Sequence, residues 1–292
     1  MIFDLCVIGH ATRDRIEIAS DAPRVLPGGT VQYAGTAASR LGLRTHVITK
    51  MRPSDRQELL SNLESLGISV CVHASPVTTE FVNIFPSAPS DVRLQKVLSV
   101  ASPFQPREIT AEARAYLFGP LTPSEMDRSC IEPLASRGAR VALDVQGLLR
   151  ETTGTFVELG PNPAALELLA WVDVLKANAE EAYLLTGSGS IEQAARRLAA
   201  AGPSEILITS GSEGSHVFAR GRLTSIPAYR PAEVVDTTGC GDTYVAAYLA
   251  RRLAGSSVEA SADYASRVAG AKAGYHGALR EVVPHQFDSV AA

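Results

Sequence analysis

Asp236-Thr237-Thr238-Gly239-Cys240-Gly241-Asp242, running into the alanine-rich stretch Thr243–Leu253, brings three kinds of chemistry into one turn. Gly239 and Gly241 flank a small residue, so the backbone can bend sharply and offer unobstructed N–H groups. A helix predicted from the same point aims its positive end at whatever those amides hold. The combination is a preformed anion site with the Asp242 carboxylate at its mouth, where an anion would be repelled. That conflict resolves if Asp242 takes the proton of a hydroxyl nucleophile while the amides of Gly239, Cys240 and Gly241 stabilise charge on a transferring phosphoryl group. A helix capped after a glycine turn is the plainer alternative.

The heptad resembles the signature of the ribokinase-like, or PfkB, family of carbohydrate and nucleoside kinases, D-T-x-G-A-G-D at the head of a long helix. Cys240 stands where alanine is usual; the role implied there is the backbone amide, which a thiol side chain leaves intact. The similarity extends from Asp4 to about Ala278. It implies an ATP-dependent phosphotransferase acting on a hydroxyl of a small sugar, cyclitol or nucleoside, with Mg²⁺ at the donor phosphates. A thiol beside the phosphate site further suggests sensitivity to alkylation at Cys240. A non-catalytic ligand sensor on a kinase-like fold is the alternative from another class.

Other positions take expected roles from the same resemblance. Asp14, after the first strand, matches a substrate contact. Gly28 and Gly29 open a helix at the place of a GG-x-x-x-N motif, but Tyr33, beside Gln32, occupies the asparagine position. Tyr33 is therefore either a flat surface for a bulkier acceptor or a core residue. Gln146 and Arg150, after Asp144, resemble a D-x-N-x-x-R region that lines the acceptor site. Asn178 and Glu181 match an N-x-x-E signature whose glutamate holds the water shell of Mg²⁺, although the same spacing is a capping box. Thr209, Gly211 and Gly214 resemble a T-x-G-x-x-G turn against the nucleotide, and Gly277 closes over it. Asp236 and Thr238 match contacts to a monovalent cation such as K⁺.

These positions need a scaffold, and the hydrophobic pattern supplies one. Phe3–Gly9, Thr45–Thr49, Ile68–His73, Ala115–Phe118, Arg140–Asp144, Val172–Lys176 and Glu205–Thr209 read as buried strands. Gly28–Leu41, Ser54–Leu66, Pro123–Ser136, Ala179–Leu185, Ile191–Ala201 and Ala260–Tyr275 read as helices between and after them. Strands interleaved with helices predict an α/β fold with a mostly parallel sheet covered on both faces. The family resemblance makes this a three-layer sandwich. Arg13–Ile18 and Thr78–Val100, with a turn at Pro86–Asp91, alternate polar and apolar residues and break the rhythm. They predict a small β-sheet projecting from the single domain 1–292, which in the resembled family forms a lid and often a homodimer contact.

Composition narrows the classes further. The 292 residues carry 27 basic and 31 acidic side chains, a formal charge of −4, and only 6% aromatics, so a nucleic-acid surface is not expected. The apolar runs are strand-sized, so no membrane span is expected. The start enters a strand directly, and the 4 cysteines show no C-x-x-C spacing, which points to reduced thiols in the cytoplasm. Neither a Walker phosphate loop nor G-x-S-x-G occurs, and Gly9-His10-Ala11 is not the G-x-G-x-x-G of a nicotinamide-binding turn.

Overall fold

The computed structural model describes residues 2–18, 22–85, 94–152, 156–280 and 287. Its strands are β1 (Phe3–Ile8), β2 (Thr12–Ile18), β3 (Arg24–Gly28), β4 (Thr45–Met51), β5 (Ser69–Ala74), β6 (Thr79–Phe85), β7 (Leu94–Ser99), β8 (Ala113–Phe118), β9 (Arg140–Asp144), β10 (Arg150–Glu151), β11 (Glu158–Leu159), β12 (Val174–Asn178), β13 (Glu205–Thr209), β14 (Ser215–Ala219) and β15 (Arg222–Ile226). The helices are α1 (Thr30–Arg40), α2 (Arg56–Ser65), α3 (Arg128–Ala135), α4 (Pro163–Leu168), α5 (Ala179–Thr186), α6 (Ile191–Ala200), α7 (Cys240–Leu253) and α8 (Val258–Ala273).

Alternation along each strand builds the layers. Leu5 and Val7 of β1, with Val47, Leu117, Ala142 and Leu207, face the core shared with α1, α2, α7 and α8. Their neighbours Cys6, Ile8, Ile48, Phe118, Leu143, Ile206 and Ile208 face a second core against α3, α4, α5 and α6. A sheet buried on both faces explains why these strands read as continuous apolar runs. The nine strands are ordered β15-β14-β13-β12-β9-β8-β1-β4-β5. From β13 to β5 all pairs are parallel, while β14 and β15 add an antiparallel edge.

The chain leaves β1 towards β4 and β5, then returns to place β8 on the other flank of β1. That reversal opens a crevice beyond the carboxyl ends of β1 and β8, the usual ligand position in such sheets. Glu125, fully buried, ties the crevice together by accepting the N–H groups of His10 at 2.6 Å and Leu121 at 2.8 Å. His10 carries the link onward, its ring pairing with the Thr79 hydroxyl at 2.9 Å and the Ser102 carbonyl at 3.2 Å. Burial lowers the His10 pKa and favours the neutral ring.

The smaller sheet has the order β3-β2-β6-β7, with β2 and β6 parallel and the outer pairs antiparallel. Its β2, β6 and β7 coincide with the two segments that broke the sequence rhythm; the predicted turn 86–91 lies outside the described residues. Strand β3 was hidden because Pro27 and Gly28 read as a helix opening, yet proline is admissible on an edge strand. Three helices start later than their patterns predicted, α1 at Thr30 because Gly28 ends β3. A 3₁₀ turn at Pro53–Asp55 precedes α2, and Asp127, whose carboxylate accepts the Ser129 N–H at 2.8 Å, starts α3 only at Arg128. The short pair β10–β11 also went unread, because strands of two residues carry no period.

Candidate active site

The crevice is a cavity of about 540 Å³, lined from three directions. Strand ends of the large sheet contribute Asp144, Lys176, Asn178 and Thr209. The turn before α7 contributes Thr237, Thr238, Gly239, Gly241 and Asp242, and the head of α1 contributes Gly29, Thr30 and Tyr33. The small sheet closes the remaining side with Thr12, Asp14, Phe81 and Gln95, while Leu121 comes from a loop, Gln146 from a 3₁₀ turn and Arg150 from β10. Carboxylates, carboxamides and cations therefore dominate the wall, with Phe81, Leu121 and Tyr33 as its main apolar surfaces.

Local backbone chemistry builds the catalytic turn. Gly239 caps α7 at φ 74, a left-handed conformation that costs L-residues energy. A Cβ there would also collide with the Tyr33 ring, so the turn lies directly on that ring. Tyr33 is almost wholly buried beneath the glycine turn and also lines the cavity, so it has features of both readings. The Cys240 N–H donates to the Thr237 carbonyl at 3.1 Å, so this amide is engaged within the turn while Gly239 and Gly241 line the cavity. The Cys240 thiol faces the Ala269 carbonyl at 3.5 Å, and burial pushes it up to about 11. Such a thiol is mostly protonated at neutral pH and alkylates more slowly than a free one.

Asp242 sits one helical position beyond the turn, hydrogen-bonded to Thr30. Burial, reinforced by the Asp144 carboxylate and opposed by Lys176, Thr30 and Arg150, pushes its carboxyl up to about 6. Lys176 is the residue that sequence reasoning overlooked. It is buried, its Nζ lies 2.9 Å from Asp144 Oδ2, and a Cβ on Gly241 would stand 3.0 Å from that nitrogen. Desolvation opposes its charge, but Asp144, Glu181 and Asp242 together raise its pKa and keep it an ammonium. The signal was available: a lysine at the carboxyl end of an otherwise apolar strand needs buried partners.

The remaining predicted residues divide clearly. Asp14, Gly29, Tyr33, Gln146, Arg150, Asn178, Thr209 and Thr238 join the catalytic turn around the cavity. Gly28 lies behind, where a side chain would strike the Asp14 carboxylate, and Gln32 is buried in α1 with its Oε1 unpartnered. Gly211 and Gly214 shape the bend between β13 and β14, at φ 54 and 101, without lining the cavity. Arg150 donates to the Leu121 carbonyl at 3.2 Å and stacks over Phe81 at 5.5 Å, so it joins a loop to the small sheet.

Glu181 is buried and completes a capping box, accepting the Asn178 N–H at 2.7 Å while Asn178 accepts the Glu181 N–H at 2.8 Å. Burial raises its carboxyl, with Lys176 opposing. Among the described residues no three His, Cys, Asp or Glu side chains converge on a common metal position. Mg²⁺ that keeps its waters needs only one or two protein carboxylates, so this arrangement fits an outer-sphere ion and not a protein-caged one. Asp236 accepts N–H groups from Thr238 at 2.9 Å and Gly277 at 3.2 Å. Its backbone carbonyl receives the Lys272 ammonium at 2.7 Å, so one of the two residues expected to contact a monovalent cation is engaged by a lysine.

A parallel sheet, a glycine turn at a helix head and an aspartate beside buried cations define a phosphoryl-transfer scaffold. The chain matches the pfkB family carbohydrate kinase model over residues 3–285 and belongs to that family. It is thus a phosphotransferase with an alcohol group as acceptor. It is 28% identical over 266 residues to a cytidine kinase of Thermococcus kodakarensis, covering 88% of this chain and 91% of that protein. It is 24% identical to a ribokinase of Bacillus subtilis, with 91% of each chain covered. Among solved structures, a pyrophosphate-dependent kinase of the ribokinase family in a sulfate complex superposes with a TM-score of 0.86 at 27% identity, covering 95% of this chain and 98% of that one. A pyrophosphate-dependent kinase of the ribokinase family complexed with a pyrophosphate analogue and myo-inositol gives 0.84 at 27% identity, covering 95% of this chain and 97% of that one.

Among the described residues no helix is long and apolar enough to cross a membrane.

Proposed function

We propose that the protein transfers the terminal phosphoryl group of ATP to a hydroxyl of a small polyhydroxylated acceptor, a sugar, cyclitol or nucleoside. The observation that carries this reading is Asp242 at the cavity end of α7, with its carboxyl near 6 and the Gly239–Gly241 turn beside it. A carboxylate in that range is ionised at neutral pH and basic enough to accept the acceptor's proton as the new O–P bond forms. The amides of the turn and the helix end meet the charge on the transferring group. Lys176, close to Gly241, adds a fixed positive charge without leaving its carboxylate partners.

Asp14, Gln95, Gln146 and Arg150 line the cavity and supply the acceptors and donors that a polyhydroxylated ring would need. Because Asp14 and Gln95 come from the small sheet, closure of that sheet would both grip the acceptor and expel water. A water left in the acceptor's place would hydrolyse the donor unproductively. When bound, Mg²⁺ neutralises the donor phosphates; Glu181, with Asn178 beside it, would hold its water shell. Thr209 and the bend at Gly211 and Gly214 would take the nucleotide side, with Gly277 closing near it. Tyr229, Val234 and Val235 are exposed on the segment leading into Asp236. Val25, Leu26, Leu94 and Leu98, exposed on the outer strands of the small sheet, suit a homodimer contact there.

The decisive experiment is a panel of sugars, cyclitols and nucleosides incubated with ATP and, separately, with pyrophosphate. Acceptor-dependent release of ADP supports the proposal. Release of phosphate from pyrophosphate alone would replace the donor. Binding of an acceptor with no phosphorylated product from either donor would indicate a sensor on a kinase fold.

A further inference from the structure

Lys272, on the last turn of α8, is fully shielded from solvent. Burying an ammonium costs several kcal/mol unless strong partners surround it. Its partners all belong to the machinery described above. Nζ donates to the Asp236 carbonyl at 2.7 Å, lies 3.5 Å from Asp236 Oδ2, and stands 6.0 Å from the centre of the Tyr33 ring. Asp236 in turn fixes the Thr238 N–H, and Tyr33 floors Gly239. One buried charge thus braces both ends of the turn that leads to Cys240 and Gly241.

An added alkali cation here would need the same ligands, the Asp236 carbonyl and carboxylate oxygens. Both already face Nζ, so the donor set does not fit a free ion. Taking the kinase reading as given, we infer that Lys272 is a covalently tethered monovalent cation, which holds the anion-binding turn in shape and makes the enzyme independent of K⁺. The tethered charge cannot dissociate, so the turn keeps its shape at any external K⁺ concentration. His276, 3.8 Å from Asp236 Oδ2, is largely exposed, and Cys240 is the other titratable side chain that interacts with both Lys272 and Asp236.

The test compares wild type and Lys272→Met in chloride salts of tetramethylammonium, sodium, potassium and ammonium. Wild type should keep the same kcat/KM within about twofold across the series, and K⁺ should not raise its Tm. Lys272→Met should lose about 10²-fold or more in kcat/KM without tetramethylammonium being able to help. K⁺ or NH₄⁺ should restore part of that loss and raise the variant's Tm. Wild-type activation by K⁺, a K⁺-dependent wild-type Tm, or a variant that loses activity with no response to any small cation would each overturn the inference. If Lys272→Met does not fold, Lys272→Gln and the wild-type series decide on the same readouts. Should no acceptor be phosphorylated at all, the kinase reading fails, while the two melting series still test Lys272 alone.

Discussion

Replacing Asp242 with asparagine preserves shape and removes the proton acceptor. Its carboxyl is held near 6, against 3.8 for an ordinary aspartate, chiefly by burial. A carboxyl raised by folding favours the native state at low pH and loses that contribution as pH climbs through about 6. Keeping it ionised in the folded protein at neutral pH therefore costs up to about 3 kcal/mol. Asparagine never ionises, so Asp242→Asn should be the more stable protein above about pH 7, by up to roughly 6 °C in Tm for a domain of this size. That advantage should shrink as pH falls through 6 towards 4. Turnover should drop about 10²–10⁴-fold while nucleotide affinity changes little. Calorimetric melts across pH, coupled ADP assays and nucleotide titrations measure the three quantities. A variant that turns over within a few-fold of wild type removes Asp242 from the base role. A variant no more stable at neutral pH refutes the claim that this carboxylate is held ionised at an energetic cost.

The same carboxyl predicts that kcat/KM of wild type climbs tenfold per pH unit below about 6 and levels above it; a flat profile between about 4.5 and about 7 would contradict the shifted value. Lys176→Met leaves Asp144, Glu181 and Asp242 without their shared cation and should cost about 3–5 kcal/mol in urea unfolding. A loss under about 1 kcal/mol would show that the cluster behaves like a surface ion pair. Gly239→Ala, forced against Tyr33 at φ 74, should lower turnover by at least about 10²-fold. Gly255→Ala, at φ 88 in open space, carries similar backbone strain and serves as the control, expected to melt lower but to turn over normally. Equal activity losses in the two variants would mean that strain, and not the shape of the catalytic turn, is responsible.

Much of the site was legible because its residues are close in sequence. Asp236–Asp242 is a continuous heptad, and glycines that permit a left-handed turn advertise themselves regardless of what surrounds them. The capping box of Asn178 and Glu181 is equally local, as are the apolar runs that became the large sheet. Other features depend on partners far along the chain. Lys176 looks like a stray charge until Asp144 and Asp242 arrive beside it, from the ends of β9 and the head of α7. Lys272 reads as the basic end of a helix, and only packing brings its amine to Asp236. Glu125 shows no pattern at all, yet it closes the crevice across β1 and β8.

By itself, then, the sequence determined the α/β architecture, the glycine turn and the presence of an aspartate at its mouth, since periodicity and backbone freedom are properties of neighbouring residues. The tertiary structure decided which charges meet. It laid Gly239 on the Tyr33 ring, gave the Asp242 carboxyl its basicity, and brought the Lys272 ammonium to Asp236. Desolvation and the interactions among buried charges depend on distances across the fold, and those distances exist only once the chain has closed on itself.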